Sequence, residues 1–475
     1  METLDSFYID GQWVAPAAGA ATTSIVNPAD ESVIGTLSLG SEADVDRAVA
    51  AAHAAWPAWA QTSREERIAI LERMAALYRD RLGEIAQAVC TEMGAPLWLC
   101  HELQAAVGLV QIQAAISALR ELAFDTVQGT TQIVREPVGV VALITPWNWP
   151  LNQMAAKVAP ALAAGCTVVL KPSEITPLDA RIFAQIVHEA GVPAGVFNMI
   201  YGEGKVVGSA LARHPDVDMI SITGSTRAGI DVATQAAPTV KRVTQELGGK
   251  SPNLILDDAD LKTAVSAGVI SCMINSGQTC IAPTRMLVPR SRYEEALAIA
   301  AATAHALVVG DPKEPTSKLG PIANRGQYER VQHMIEIGIK EGARIVAGGP
   351  GRPPGLTRGY YARPTIFADV TTDMTIARDE IFGPVLVIMP YDTEEDGIAI
   401  ANDTPYGLAA YVWSADVARA RRVARRIRAG AVQINGARLD LTAPFGGMKA
   451  SGNGREFGTA GLAEFLEYKS LAGAA

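Results

Sequence analysis

"GCTVVLKPSEITPLDARIFAQIVHEAGVPAGVFNMIYG", Gly165 to Gly202, changes its hydrophobic period twice. "GCTVVLKPSE" opens on a short apolar run that reads as a buried strand. "LDARIFAQIVHEAG" spaces its apolar residues as a helix does and closes at Gly191. "GVFNMIYG" is a strand again. The pattern continues outward. Upstream, "TTQIVREPVGVVALITPWNWP" is strand-like with an interruption at Pro137, which cannot donate to a sheet ladder. Downstream, the strand-like "VDMISITGS" leads into the helix-like "GIDVATQAA". Repeated strand–helix units predict an α/β fold with a parallel sheet covered on both faces. Ligands of such a sheet sit at the carboxyl ends of its strands. A second α/β segment begins near Gly248, with "SPNLIL", "TRMLVP" and "ARIVAGG" as strands and "RYEEALAIAAATAHAL" as a helix.

Bulk properties bound the function. A chain of 475 residues is too long for one hydrophobic core, so two or three domains are expected. The net charge of −9 argues against a nucleic-acid partner. The densest basic stretch, "ARARRVARRIRAG", spaces its arginines as a solvated helix face ending at Gly430. The five cysteines are odd in number and form no CxxC pair, and the six histidines form no HExxH, so neither a disulfide framework nor a metal site is expected. The start "METLDSFYIDGQW" has neither a basic region nor an apolar run, and no stretch reads as a membrane span. A cytoplasmic protein is the expectation.

Other elements follow from local pattern. "FYIDGQWV" predicts a hairpin about Asp10-Gly11. Val45, Val49, Ala52 and Trp56 share one face of a helix with Ser41 as N-cap. A second helix is expected across "SREERIAILERMAALYRDRLGEIAQAVCTEMG", stopping at Gly94. The end, "LAEFLEYKSLAG", is helix-like and then extended.

Five stretches carry chemistry, each with a structural alternative. In "NSGQTCIAPTR", Cys280 is either a small buried hydrophobe or a nucleophile. "ISITGSTRAG" places Gly224 and Ser225 where a strand meets a helix start, which suits a phosphate or merely a tight turn. In "LKPSE", Lys171 could donate to phosphate or ribose and Glu174 accept from a ribose diol; otherwise this is a surface turn. A carboxylate there would repel a 2′-phosphate. "QELGGKSPN" sets Glu246, a general base or a surface carboxylate, before Gly248 and Gly249. "TPWNWP" sets Asn148, an oxyanion donor or a turn residue, between two tryptophans.

Together these stretches resemble the NAD(P)-dependent aldehyde dehydrogenase superfamily. "PWNWP", "KPSE", "TGS", "ELGGKSPN", "GQTC", "EIFGP" and "PFGGMKASGNGRE" occur in the family's order, and the resemblance runs from "FYIDGQWV" to "PFGGMKASGNGREFG". It implies Cys280 as nucleophile, with Asn148 and the Cys280 N–H holding the oxyanion. Hydride transfer would leave a thioester for a water activated by Glu246. Lys157 and Glu456 match a proton relay. For NAD, Lys171, Ser173 and Glu174 match ribose-side contacts, Thr223, Gly224 and Ser225 the phosphate turn, and Gly204 and Gly208 the adenine side. Ile144, Thr145, Pro146 and Trp147 match the wall beside the dinucleotide. Leu247 and Gly248 lie toward the nicotinamide, and Glu380 and Phe382 match its ribose clamp. Glu174 favours NAD over NADP. The implied architecture is a Rossmann-like cofactor domain (1–118 and 138–247), a catalytic α/β domain (248–449) and a β oligomerisation flap with the C-terminal segment (119–137 and 450–475). Homodimers or homotetramers are the family's assemblies.

Glu246 places the chain with the hydrolytic members, which release an acid without CoA. Trp149, Asn152, Gln153, Ala156, Thr279, Ile281, Leu439 and Phe445 are expected to line the substrate pocket. Many relatives carry an aromatic at Ala156, so a small residue there predicts room for bulky hydrophobic or aromatic aldehydes and no aromatic cage for a quaternary ammonium. Arg438 keeps a semialdehyde carboxylate open as an alternative. A non-catalytic structural descendant is the remaining one, and the intact Cys280, Asn148 and Glu246 weigh against it.

Overall fold

The computed structural model describes residues 2–474. Its first sheet has five parallel strands at its centre. Val140–Ile144, Thr167–Lys171 and Phe197–Met199 run to one side in chain order, and Met219–Thr223 and Arg242–Glu246 to the other. Strand order therefore reverses beside Val140–Ile144, and a crevice opens there at the carboxyl ends. The strands Val140–Ile144, Thr167–Lys171 and Met219–Thr223 are buried along their whole length, which explains their unbroken apolar runs. Antiparallel strands close both edges: the hairpin Phe7–Ile9/Gln12–Val14 and the short Gly452–Asn453. The hairpin turns on Asp10 (φ 52°) and Gly11 (φ 75°), as its Asp-Gly pair predicts.

A second sheet is built outward from Pro252–Ile255. Arg285–Pro289, Val385–Tyr391, Thr365–Ala368 and the antiparallel Arg344–Ala347 lie on one side, and Ala409–Trp413 and Ala431–Ile434 on the other. Separate hydrophobic clusters fill the two faces of this sheet, while one continuous cluster surrounds the first. Cys90, Cys166 and Cys272 are buried in these cores.

Several local expectations are corrected. The stretch from Ser63 to Gly94 forms two helices, Arg64–Asp80 and Leu82–Glu92. The break is at Arg81, whose guanidinium is held by Glu84 and by Gln185 of the Pro177–Glu189 helix. The arginine-rich helix is Val417–Ala424 and ends well before Gly430. Gly430 is needed for another reason: a Cβ there would lie 1.6 Å from the Gly446 carbonyl oxygen. The first helix buries Trp59 in place of Trp56. Leu97–Glu121 is long and apolar enough by composition to cross a membrane, at a mean hydropathy of 1.3, yet it packs within the fold against helices Arg64–Asp80 and Pro150–Ala164. A π-helical turn, Cys100–Gln104, interrupts it.

The flap residues divide. Residues to Glu121 are helical, and the hairpin is Asp125–Gln128/Thr131–Pro137. Leu466–Ala472 pairs antiparallel with its second strand, whereas Gly452–Asn453 belongs to the first sheet.

Away from the crevice, Glu92 accepts from the Leu178 and Asp179 N–H groups at 2.7 and 2.8 Å, capping the Pro177–Glu189 helix. Asp179 lies beside it, fully buried, and neither of its carboxylate oxygens has a partner. Burial pushes Glu92 up to about 8 against the pull of those N–H groups. Burial and the Glu92 charge push Asp179 well above the carboxylate range. Both hold protons more tightly folded than unfolded, so stability falls as pH rises from the ordinary carboxylate range toward about 8. Asp179→Asn should shrink that fall, read as the Tm difference between about pH 5 and about pH 8; an undiminished difference would contradict the pairing.

Candidate active site

Four strand ends meet at the crevice. Ile144 and Thr145 end one strand, Lys171 the next, Thr223 and Gly224 a third, and Glu246 to Gly248 the last. Ser225 caps the helix Thr226–Ala236, its hydroxyl accepting from the Ala228 N–H at 3.2 Å. The Thr145 and Thr223 hydroxyls are buried and have no partner among the described residues. A cavity of about 820 Å³ runs along these ends. It is lined by Pro146, Trp147, Thr223, Gly224, Ser225, Leu247, Gly248, Glu380 and Phe382, and it reaches Asn148 and Cys280. The size suits a small-molecule site. The remaining residues expected at a cofactor are not among those that line this cavity. Lys171 donates to the Gly202 carbonyl at 2.8 Å and pairs with Glu174 at 3.4 Å, and the side chains of Ile144 and Lys171 flank Gly208. Ser173 accepts from the Ile175 N–H, and Gly204 stands exposed at the start of a π-helical turn.

The nucleophile loop is held by backbone of unusual hand. Asn275 (φ 56°), Ser276 (φ 54°) and Gly277 (φ 74°) are consecutive left-handed residues. Gly277 is required twice, since a Cβ would also lie 2.0 Å from the Gly383 carbonyl oxygen. Asn148 caps no helix; its carbonyl accepts from Gln104 Nε2 at 3.0 Å and Asn275 Nδ2 at 2.9 Å. Its own Nδ2 donates to the Gln278 carbonyl at 3.1 Å, which leaves its second N–H for a ligand. The Cys280 N–H has no acceptor among the described residues. Two donors thus stand at Cys280, the arrangement an oxyanion needs.

Charge around Cys280 is negative. Burial, then the Glu246, Glu380 and Glu456 carboxylates, push its thiol up. Glu246 is 5% exposed and neither carboxylate oxygen has a partner among the described residues. Burial, then the Glu456 charge, raise it well above the carboxylate range. Behind it, Lys157 forms a buried ion pair with Glu456 and donates to Ser221 Oγ at 3.1 Å. Gly446 leaves space for the Glu246 carboxylate: a Cβ there would lie 2.7 Å from Oε1. Glu380 accepts from the Gly249 N–H at 3.0 Å, and burial pushes it up to about 7.

On the substrate side, Trp149 Nε1 donates to Thr279 Oγ1 at 3.0 Å. Ala156 and Phe445 cluster with Leu408 and Phe457, and Cys280, Ile281 and Leu439 pack against them. Phe445 and Phe457, whose rings stack 4.9 Å apart, share that cluster with Ala156 and come from much later in the chain. Arg438 is exposed.

Gln104, Asn275 and Gln278 were not expected from sequence. Nor were Gln327 and Arg330, which line the cavity and hold the 380–382 backbone through its carbonyls. These two sit on the amphipathic helix Arg325–Lys340, far along the chain, with no local signal. Only the Asn-Ser-Gly turn was legible, as residues that tolerate left-handed backbone.

Two α/β sheets thus frame a strand-end cavity that leads to an amide and a loop cysteine, with a buried carboxylate nearby. The aldehyde dehydrogenase family model matches residues 13–471, and the chain belongs to that family. It is 56% identical over 474 residues to 3-succinoylsemialdehyde-pyridine dehydrogenase of a Pseudomonas species, covering 100% of this chain and 99% of that one. A solved cysteine-to-alanine mutant of aldehyde dehydrogenase C from Pseudomonas syringae, complexed with NAD+ and octanal, superposes with a TM-score of 0.98 at 55% identity, covering 99% of this chain and 97% of that one. The NAD+ complex of a Mycobacterium tuberculosis aldehyde dehydrogenase has a TM-score of 0.96 at 41% identity, covering 99% and 98%.

Gly277→Ala tests the nucleophile loop. The left-handed backbone alone costs a non-glycine residue roughly 1–2 kcal/mol, before the clash with Gly383. Denaturant unfolding should show a loss of at least that size, and an unchanged midpoint would refute the constraint.

Proposed function

We propose that this chain oxidises an aldehyde to a carboxylic acid with NAD, through an acyl group carried on Cys280. The observation that carries this reading is the Cys280 thiol and the free Asn148 N–H at one cavity, with the unpartnered Glu246 carboxylate close enough for its charge to push that thiol up. Trp147 would wall the dinucleotide, Ser225 would face its phosphates, Glu380 and Phe382 would clamp the nicotinamide ribose, and Lys171 and Glu174 would hold the adenosine ribose. Glu174 favours an unphosphorylated ribose. When bound, the nicotinamide supplies the oxidising power by accepting the hydride.

The chain's own residues do the rest. Loss of the thiol proton frees Cys280 Sγ to attack the aldehyde carbon. Asn148 Nδ2 and the Cys280 N–H receive the oxyanion. Glu246 then takes a proton from water, and that water attacks the thioester carbon and expels Cys280. Ser221, Lys157 and Glu456 lie behind Glu246 and offer that proton a way out. A general base at this position supports hydrolysis over transfer to CoA.

Medium or bulky aldehydes are the proposed substrates. A relative named for a pyridine-bearing semialdehyde and a neighbour solved with octanal support that range. The three-stranded flap supports a homodimer or homotetramer.

NADH appearance without CoA, over aldehydes from short aliphatic to bulky aromatic, tests the reading. Cys280→Ala should abolish turnover, and persistent turnover would refute the covalent route. Glu246→Gln should give about one NADH per site in a burst and then nearly stop, since deacylation loses its base. Steady turnover at the wild-type rate would contradict that role. Both groups are raised and both must lose a proton, Cys280 for the attack and Glu246 for the hydrolysis, so kcat for the wild type should climb toward alkaline pH. A profile that falls over this range would contradict both assignments.

A further inference from the structure

Cys90 lies near the end of the helix Leu82–Glu92, and Cys100 opens the π-helical turn Cys100–Gln104. Gly94 (φ 82°) turns the chain back between them, and the helix packs against the turn. Both residues are fully buried free thiols. The two thiols lie within hydrogen-bond reach of each other, and the Cys100 S–H also donates to the Ala95 carbonyl at 3.3 Å. The aldehyde chemistry uses neither. Their cover is thin. The Leu97 N–H donates to the Pro312 carbonyl at 2.7 Å, and Asp311 and Lys313 on either side of Pro312 are exposed, with charges that act on Cys90. Local opening of that turn would admit a small oxidant.

The two sulfurs are not equivalent. The hydrogen bond from Cys100 lowers the Cys90 thiol against its burial, and Lys313 assists. That same bond, then burial, raises Cys100. The first proton therefore leaves Cys90, which makes Cys90 the attacking thiol and Cys100 the resolving one.

We propose that Cys90 and Cys100 are a dithiol that a hydroperoxide converts to a disulfide, and that this bond slows the enzyme through the π-helical turn. The Cys90 thiolate attacks one peroxide oxygen, the O–O bond breaks, and the departing hydroxide takes a proton to become water. The Cys100 sulfur then attacks the sulfenic sulfur, the S–O bond breaks, and the thiol proton leaves with that hydroxide as a second water. Two thiols are oxidised by two electrons, and the peroxide is reduced. Bonded sulfurs stand about 2 Å apart, closer than hydrogen-bonded ones, so Cys100 must move toward Cys90. Cys100 is the origin of the turn, its carbonyl accepting from the Ala105 N–H at 2.9 Å. At the other end of the turn, Gln104 Nε2 donates to the Asn148 carbonyl at 3.0 Å and to Asn275 Oδ1 at 3.2 Å. A shift of the turn thus displaces Asn148 from the oxyanion. This effect on rate rests on the aldehyde oxidation proposed above; the disulfide does not.

The purified full chain, exposed to hydrogen peroxide and blocked with N-ethylmaleimide in denaturant, tests the bond by peptide mass mapping. A peptide joining Cys90 to Cys100 should appear and should vanish after dithiothreitol. Its absence when Cys280 is already oxidised overturns the dithiol. The same exposure should lower kcat at least about tenfold, since small misplacements of catalytic groups cost that much, and dithiothreitol should restore it. Cys90→Ala keeps Cys280 but cannot form the bond, so it should keep most of its own untreated kcat. An equal loss in wild type and variant assigns the loss to Cys280 and overturns the control of rate. The mapping needs no variant, so it decides the dithiol even where Cys90→Ala fails to fold. An untreated chain that oxidises no aldehyde overturns the aldehyde oxidation and the control of rate together, while the mapped bond still decides the dithiol.

Discussion

The carbonyl of Asn148 accepts two buried amide donors, and the geometry of the site hangs on that pair of bonds. Asn148 sits at the corner where a strand of the first sheet becomes a helix. Cys280 sits on a loop that enters the second sheet. Nothing in either sheet sets the distance between them. Gln104 and Asn275 do so by bonding the same oxygen, and Gln278 completes the tie by accepting from Asn148 Nδ2 and donating to the Asn275 carbonyl at 3.0 Å. All four residues are buried, so these bonds act in a low dielectric, where a lost partner is expensive. The π-helical turn at Cys100–Gln104 aims Gln104 into the network, a common use of such turns.

The electrostatics follow from what surrounds that fixed point. Glu246, Glu380 and Glu456 all oppose a thiolate at Cys280, while Lys157 pairs with Glu456 and, with Arg455, pulls Glu246 the other way. The thiol and Glu246 are both raised by burial and by this negative surround. That arrangement disfavours a reactive thiolate in the free protein and favours a cationic ring in the cavity. It also explains why Glu246 is left without a hydrogen bond: a carboxylate tied to donors would be a weaker base.

The parallel sheet was legible because its strands are buried on both faces and read as apolar runs set apart by helical spacing. The cavity residues on "TGS", "ELGG" and "EIFGP" were legible because each motif lies at a strand end or a tight backbone approach; a Cβ on Gly248 would lie 2.1 Å from the Glu380 carboxylate. What escaped depends on long-range packing. Gln104, Gln327 and Arg330 look like ordinary helix residues, and their partners are distant in sequence. Gly430 looked like a helix stop and instead admits the Gly446 carbonyl. The aromatics that cluster with Ala156, Phe445 and Phe457, come from the far end of the chain and leave no mark on the sequence around it.

Two aromatic residues show what the fold gives up to hold this geometry. Phe382 (φ 59°) and Phe457 (φ 67°) have backbone that side chains other than glycine avoid, at a cost of order 1–3 kcal/mol each. Phe382 is kept there by its edge contact with Trp147, 5.6 Å between ring centres, and by Gln327 on its carbonyl. Phe457 is kept by its stack on Phe445, whose backbone pairs with Glu456. A glycine would relieve the strain at either place but would remove a ring that walls the site. The strained backbone stands at the cavity wall, at the Cys280 approach and at the substrate end. Each place needs a side chain pointing inward where a relaxed chain would point it away, and the two cores supply the stability that this requires.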